Sequence, residues 1–118
     1  MPPRIPLALR IPTALLLFLR ALSSADRINR MTPTERCVYT AQLSVAGYHY
    51  FLQGRSRSQV PIRWHGDETQ NEMDFVNHIL DQAYAAAEQD RRDQPNQPVS
   101  EQAFGERAYQ SCMNAERT

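Results

Sequence analysis

Four residues in the middle of the chain have the side-chain types that transition metals and acid–base chemistry use: His65, Asp67, Glu72 and His78. They lie in the run Trp64-His65-Gly66-Asp67-Glu68 and in the segment carrying Glu72, Asp74 and His78 just after it. Imidazole and carboxylate together can ligate a transition metal, so a metal-dependent enzyme at these four positions is one reading. The spacing argues against it. It is not H-E-x-x-H, and no interval along the chain brings three ligands together without help from the fold. Acids near the start of a helix are favoured by its dipole alone. Asp74 and His78 are four apart and share a helix face, which is most simply a surface pair. Ser56 and Ser58 have no base assigned to them, so a serine nucleophile is unsupported. The sequence therefore implies no catalytic residue, no metal site and no cofactor.

A second constellation carries binding chemistry. Arg55, Arg57 and Arg63 stand close to Trp64 and His65. Guanidinium forks match carboxylate or phosphate, and segments joining rigid elements often carry binding residues. These five residues are the candidate surface for a small anionic ligand or a protein partner. The simpler role is structural. Val60, Ile62 and Trp64 alternate with Pro61 and Arg63, as in a short extended piece, and Pro61 would confine any pairing to an edge. Such a piece would cover the open end of a bundle as a lid.

The third pair is Cys37 and Cys112, almost at the two ends of the chain that follows residue 25. Their meaning depends on compartment, and residues 1–25 bear on that. Arg4 and Arg10 are followed by the apolar run Ile11 to Leu19, then by Ser23-Ser24-Ala25 before Asp26, the first acid. Charge, apolar stretch and small-x-small is the order of a secretory signal. Arg20 cuts the run well short of the about 20 apolar residues of a membrane span, so no stable anchor is expected once the leader is removed. A mitochondrial transit peptide would be amphipathic, without one compact leucine run. In an oxidising compartment a lone, distant cysteine pair reads as one structural disulfide; a redox pair would sit closer, as C-x-x-C.

Charge narrows the partners further. The whole chain has 13 basic and 13 acidic residues. Without Arg4, Arg10 and Arg20, ten basic and 13 acidic residues remain, a net charge of −3. A nucleic-acid binder needs a basic face to displace counterions from phosphate, so none is expected. Every basic residue is Arg and none is Lys, a bias of GC-rich bacterial genomes.

These residues must be positioned by helices. Thr32-Pro33-Thr34-Glu35 is a capping box with proline at the first helical position, opening a helix over about 33–53 that ends at Gly54. Its apolar stripe is Cys37, Ala41, Val45, Tyr48 and Phe51/Leu52, with Gly47 pointing to a close helix crossing. Thr69-x-x-Glu72, or alternatively Asp67 to Gln70, opens a second helix over about 68–90 with the stripe Met73, Val76, Ile79/Leu80, Ala83 and Ala87. Ser100 caps a third, over about 100–113, with Val99 and Phe104 as its hydrophobic staple and Gly105 weakening it. Residues 54–66 form the loop. The fold class is all-α, a small three-helix bundle stapled by Cys37–Cys112 in a single domain, residues 26–118, after a signal peptide over 1–25. The cysteines fall at the start of the first helix and the end of the last, so these two should pack antiparallel as an outer pair.

The leader, Cys37-x3-Ala41, the Gly54-Arg55-Ser56-Arg57-Ser58 loop, the central helix with Phe75-Val76 and Ala83-Tyr84, and a second cysteine in a short last helix together resemble the small exported helical proteins of proteobacteria. These pieces span most of Cys37 to Cys112. The architecture, though no sequence motif, is also similar to that of acid-stress periplasmic chaperones. The resemblance implies a periplasmic or secreted helical protein and leaves its activity open. The expected function is non-catalytic binding or accessory work in the periplasm, through the loop over Arg55 to His65. A stress chaperone or an enzyme inhibitor is the alternative.

Overall fold

The computed structural model describes residues 27–117, and the expected leader and its cleavage point lie outside them. Four helices follow in order: α1 (Arg27–Arg30), α2 (Pro33–Leu52), α3 (Gln70–Asp93) and α4 (Glu101–Glu116), with a 3-10 turn at Arg57–Gln59 between α2 and α3. There is no strand among the described residues. The all-helical class stands, but the short α1 was not expected, and the described residues form four helices where three were read.

The helix starts are where the capping chemistry puts them. Thr32 accepts from the Glu35 amide while Glu35 accepts from the Thr32 amide at 2.8 Å. That reciprocal bond holds the Glu35 carboxyl below its usual range, through the backbone N–H of Thr32 first and its hydroxyl second. Thr69 and Glu72 form the same box, so α3 starts at Thr69 rather than at the Asp67 alternative. Ser100 accepts from the Ala103 amide. Gly54, just past α2, has φ 81, the left-handed value that stops a helix without a Cβ penalty. The ends run longer than expected: α3 continues to Asp93 and α4 to Glu116.

α2 is the centre of the molecule, not an outer helix. From Ala41 to Tyr48 every residue is buried, the polar Gln42 and Ser44 included. Cys37 and Ala41 pack with Tyr109 of α4. Tyr39, Leu43 and Ala46 pack with Val76, Ile79 and Leu80 of α3. Both contacts depend on a residue without a side chain. A Cβ on Gly47 would stand 3.1 Å from Leu80 and 3.3 Å from Ala83, and one on Gly105 would stand 2.6 Å from the Val45 methyl. Gly105 therefore does not merely weaken α4. It lets α4 approach α2 closely, a gain in packing set against about 1 kcal/mol of helix propensity.

α4 runs antiparallel to α2. Cys112 bonds Cys37 at one end, and at the other Tyr48 donates to the Val99 carbonyl at 2.6 Å while His49 and Glu101 stand 3.4 Å apart. α3 runs parallel to α2: Tyr39 stacks on Phe75 at one end, and Phe51 meets Tyr84 edge-on at the other. Parallel neighbours need the connection to travel back along them, and residues 53–69 do so. Tyr84 holds the Arg55 carbonyl at 2.8 Å, Arg57 reaches Asp81 and Asn77, and Val60 is buried in the α2–α3 core with Ile62 against it.

The disulfide closes a span of 75 residues with Cα atoms 5.4 Å apart. In the chain-entropy model a loop of that length is worth about 4.5 kcal/mol. Replacing both cysteines by serine should lower the unfolding free energy by about 3–5 kcal/mol, read as a fall in the urea midpoint at unchanged helix content; a midpoint within error of the parent would contradict the staple.

Candidate functional site

The residues singled out for chemistry lie in three places. Three of the four metal candidates do come together, but around a cation of the chain itself. Arg27 is buried, with one guanidinium nitrogen 2.5 Å from Asp67 Oδ1 and the other 3.3 Å from Glu72 Oε2. His65 Nδ1 stands 3.4 Å from the same Asp67 oxygen. Glu72 is fully buried, and its second oxygen accepts from the Thr69 amide and hydroxyl as half of the α3 capping box. Both of its oxygens thus have protein donors. The guanidinium hydrogen bond is the first cause of the lowered pKa of Asp67. The neighbouring Glu68 accepts from the amides of His65 and Gly66; burial pushes its pKa up, and the backbone N–H groups together with the Arg27 charge bring it down. No cluster of three or more His, Cys, Asp or Glu capable of holding a metal occurs among the described residues. The site-like run Trp64 to Glu72 is instead the joint that ties α1 and the end of the connection to the start of α3.

His78 is elsewhere, two turns along α3, and it is not paired with Asp74, whose carboxylate takes the Gln70 side-chain amide at 2.7 Å. The expected Asp74–His78 surface pair is not formed.

The five residues of the loop do not assemble one binding surface. The Arg55 guanidinium lies 5.4 Å from the centre of the Tyr50 ring. Arg57 is spent on α3, with Nε 2.7 Å from Asp81 and a terminal nitrogen 2.7 Å from the Asn77 side chain. Arg63 is exposed and makes no hydrogen bond or ion pair among the described residues, and Trp64 is 36% exposed. Val60 and Ile62 do cover the core as the lid reading expects, while Trp64 stays outside it. Ser56 and Ser58 bond each other at 3.2 Å within the turn.

A concave surface among the described residues lies on another side, and sequence reasoning missed it. A groove of about 680 Å³ runs between α3 and α4 with α2 as its floor. Phe75, His78, Ile79, Gln82, Ala83 and Ala86 form the α3 wall; Phe104, Arg107, Ala108, Ser111 and Cys112 form the α4 wall; Thr40 and Ser44 lie at the bottom. The walls meet at one end. Phe104 packs on Ala83 and Ala87 beneath Tyr48, and Arg107 holds both oxygens of Asp90 at 3.0 and 2.6 Å while lying over the Phe104 ring. The Asp90 hydrogen bond is the first cause of the raised Arg107 pKa. At the other end no hydrogen bond, ion pair or ring contact links His78 to Ser111 or Cys112 among the described residues, and the groove opens there. Its volume falls inside the range of small-molecule sites.

Family models, curated proteins and solved structures gave no match to this chain. The site therefore rests on its own geometry.

The Arg27 joint is testable by itself. Removing one partner of a buried ion pair leaves the other charge uncompensated, at a cost of about 3–5 kcal/mol. Arg27→Met should destabilise the domain by that much in urea unfolding. Adding Glu72→Gln, which keeps the capping box, should recover most of the loss; a double variant no better than the single one would show that the pairing is not the cause.

Proposed function

We propose that this is a non-catalytic binding protein of an oxidising compartment, the periplasm or the exterior, and that the groove between α3 and α4 is its binding site. The groove is the observation that carries the proposal. Largely apolar walls and a few polar groups converge in it, the arrangement that small-molecule sites share. In the loop over Arg55 to His65, the site expected from the sequence, Arg57, Val60 and Ile62 hold the connection against the bundle, while Arg63 and Trp64 are exposed. The groove lining has no carboxylate, and the Ser44 hydroxyl is spent on the Thr40 carbonyl at 2.8 Å.

Two features support the compartment. The disulfide suits an oxidising milieu. Cleavage after Ala25 would also leave Arg27 on the mature chain, so the leader could go without breaking the Arg27 joint. No helix among the described residues is long and apolar enough to cross a membrane.

A neutral apolar dye such as phenylnaphthylamine tests the reading. The parent should bind it with a stoichiometry of one and a fluorescence gain. Ser111→Trp, at an exposed position on the groove wall, should abolish binding at unchanged stability. Equal binding by the variant would place the dye elsewhere and sink the proposal.

The acid-stress alternative has one observation in its favour. Asp67 and Glu68, which hold the end of the connection, both have folded-state pKa values below the usual carboxylate range. A depressed folded pKa contributes stability that is complete above the unfolded value near 4 and is lost as pH falls through the lower folded value. The connection should therefore hold from neutrality down to about pH 4 and release below it, uncovering Val60 and Ile62. Dye binding that persists in Ser111→Trp, rising only below pH 4, would register that opening; a flat profile to pH 2 would remove the chaperone reading.

A further inference from the structure

Resting on the groove as the binding site, we infer that its ligand is a single-chain anionic amphiphile: an alkyl chain laid along α2 with a carboxylate or phosphate headgroup at the open end. Three observations converge on this. The first is charge. The described part of the chain is rich in acids, yet not one lines the groove, and its two ionisable residues outside the disulfide, His78 and Arg107, are basic. A cationic headgroup would find no counter-charge among the lining residues, whereas an anion meets donors there. The second is polarity along the axis. Ala83 and Phe104 are buried where the walls meet; His78 and Ser111 are exposed toward the other end. His78 has no hydrogen-bonding or ionic partner among the described residues, so its imidazole is available to an incoming anion.

The third observation is shape. The walls close where Phe104 meets Ala83 and Ala87, so the groove narrows to a blind end. From His78 to Ala86 is eight residues, about 12 Å at the helical rise. A partner helix is about 10 Å across with its side chains and would need the closed end to part. A polymethylene chain would not, and the methyls of Ala83, Ala86 and Ala108 give it smooth walls. Arg107, already bound to Asp90 through both oxygens, caps the blind end instead of receiving the headgroup.

The test uses decanoate, decanol and decyltrimethylammonium as monomers, each displacing phenylnaphthylamine from the disulfide-bonded protein. Decanoate should bind at least about tenfold more tightly than the ammonium, the difference a charge-assisted hydrogen bond supplies. Affinity should rise about three- to fourfold per added methylene from hexanoate to decanoate, then level off when the chain reaches Phe104. His78→Gln should weaken decanoate about tenfold and leave decanol unchanged, which separates headgroup contact from a general loss of structure. Equal or tighter binding of the ammonium, or a His78→Gln effect of the same size on decanol, would overturn the anionic class and leave the groove reading intact. Failure of the dye together with all three amphiphiles would overturn both.

Discussion

The seating of α4 on α2 is the constraint on which the rest of the molecule depends. It is fixed at three levels. Cys112 is bonded to Cys37 at one end. In the middle the Gly105 backbone lies so close to Val45 that a single methyl would not fit. At the far end Tyr48 holds the Val99 carbonyl and His49 faces Glu101. A helix held at both ends and pressed in at its centre cannot roll toward another neighbour. α3 has its own close seat on a different face of α2, at Gly47. Two helices drawn hard onto separate faces of a third cannot also close on each other along their length. The cleft between them is thus a consequence of the tight packing elsewhere, and it persists because closing it would undo contacts that hold the core.

The parallel course of α2 and α3 imposes the second half of the architecture. A parallel pair leaves the chain at the wrong end, and residues 53–69 must return along the outside of the bundle. An exposed return is entropically expensive, and the residues that look chemical in the sequence are the ones that hold it down. Arg57 takes Asp81 and Asn77, Tyr84 takes the Arg55 carbonyl, and Glu68 takes the amides of His65 and Gly66. Arg27 gathers Asp67 and Glu72 at the last step before α3. A cluster of His, Asp and Glu with the composition of a metal site is here the complement of one buried guanidinium.

What could be read in advance follows from the range of each interaction. N-caps act over three residues, so Thr32, Thr69 and Ser100 marked the helix starts correctly. The cysteine pair, though distant, is made of a residue type with one obvious partner, and the antiparallel pairing of its two helices followed. The centrality of α2 was harder to see. Its second stripe, Tyr39, Leu43 and Ala46, is interrupted by Gln42 and Ser44, which are buried nonetheless. The short α1 could not be read, since Arg27 finds its partners 40 and 45 residues away. The groove was the least legible of all. In a sequence Ala83, Ala108 and Ser111 read as helix faces buried against a neighbour, yet Ser111 is exposed and Ala108 only half-buried. Only the splay of α3 from α4 turns them into walls.

The two faces of the domain therefore divide the polar chemistry between them. One carries the Arg27 joint and the pinned connection, where opposite charges are matched within the chain. The other carries a cleft without acids, where His78 is left unmatched and the one guanidinium, Arg107, is matched to Asp90. Cys112 belongs to both sides of this division. It is half of the bond that holds α4 on α2, and it lines the cleft that this hold keeps open. Reduction would remove the covalent tie at that end of α4 and leave the Arg36–Glu116 ion pair and the packing of Tyr109 against Cys37 and Ala41.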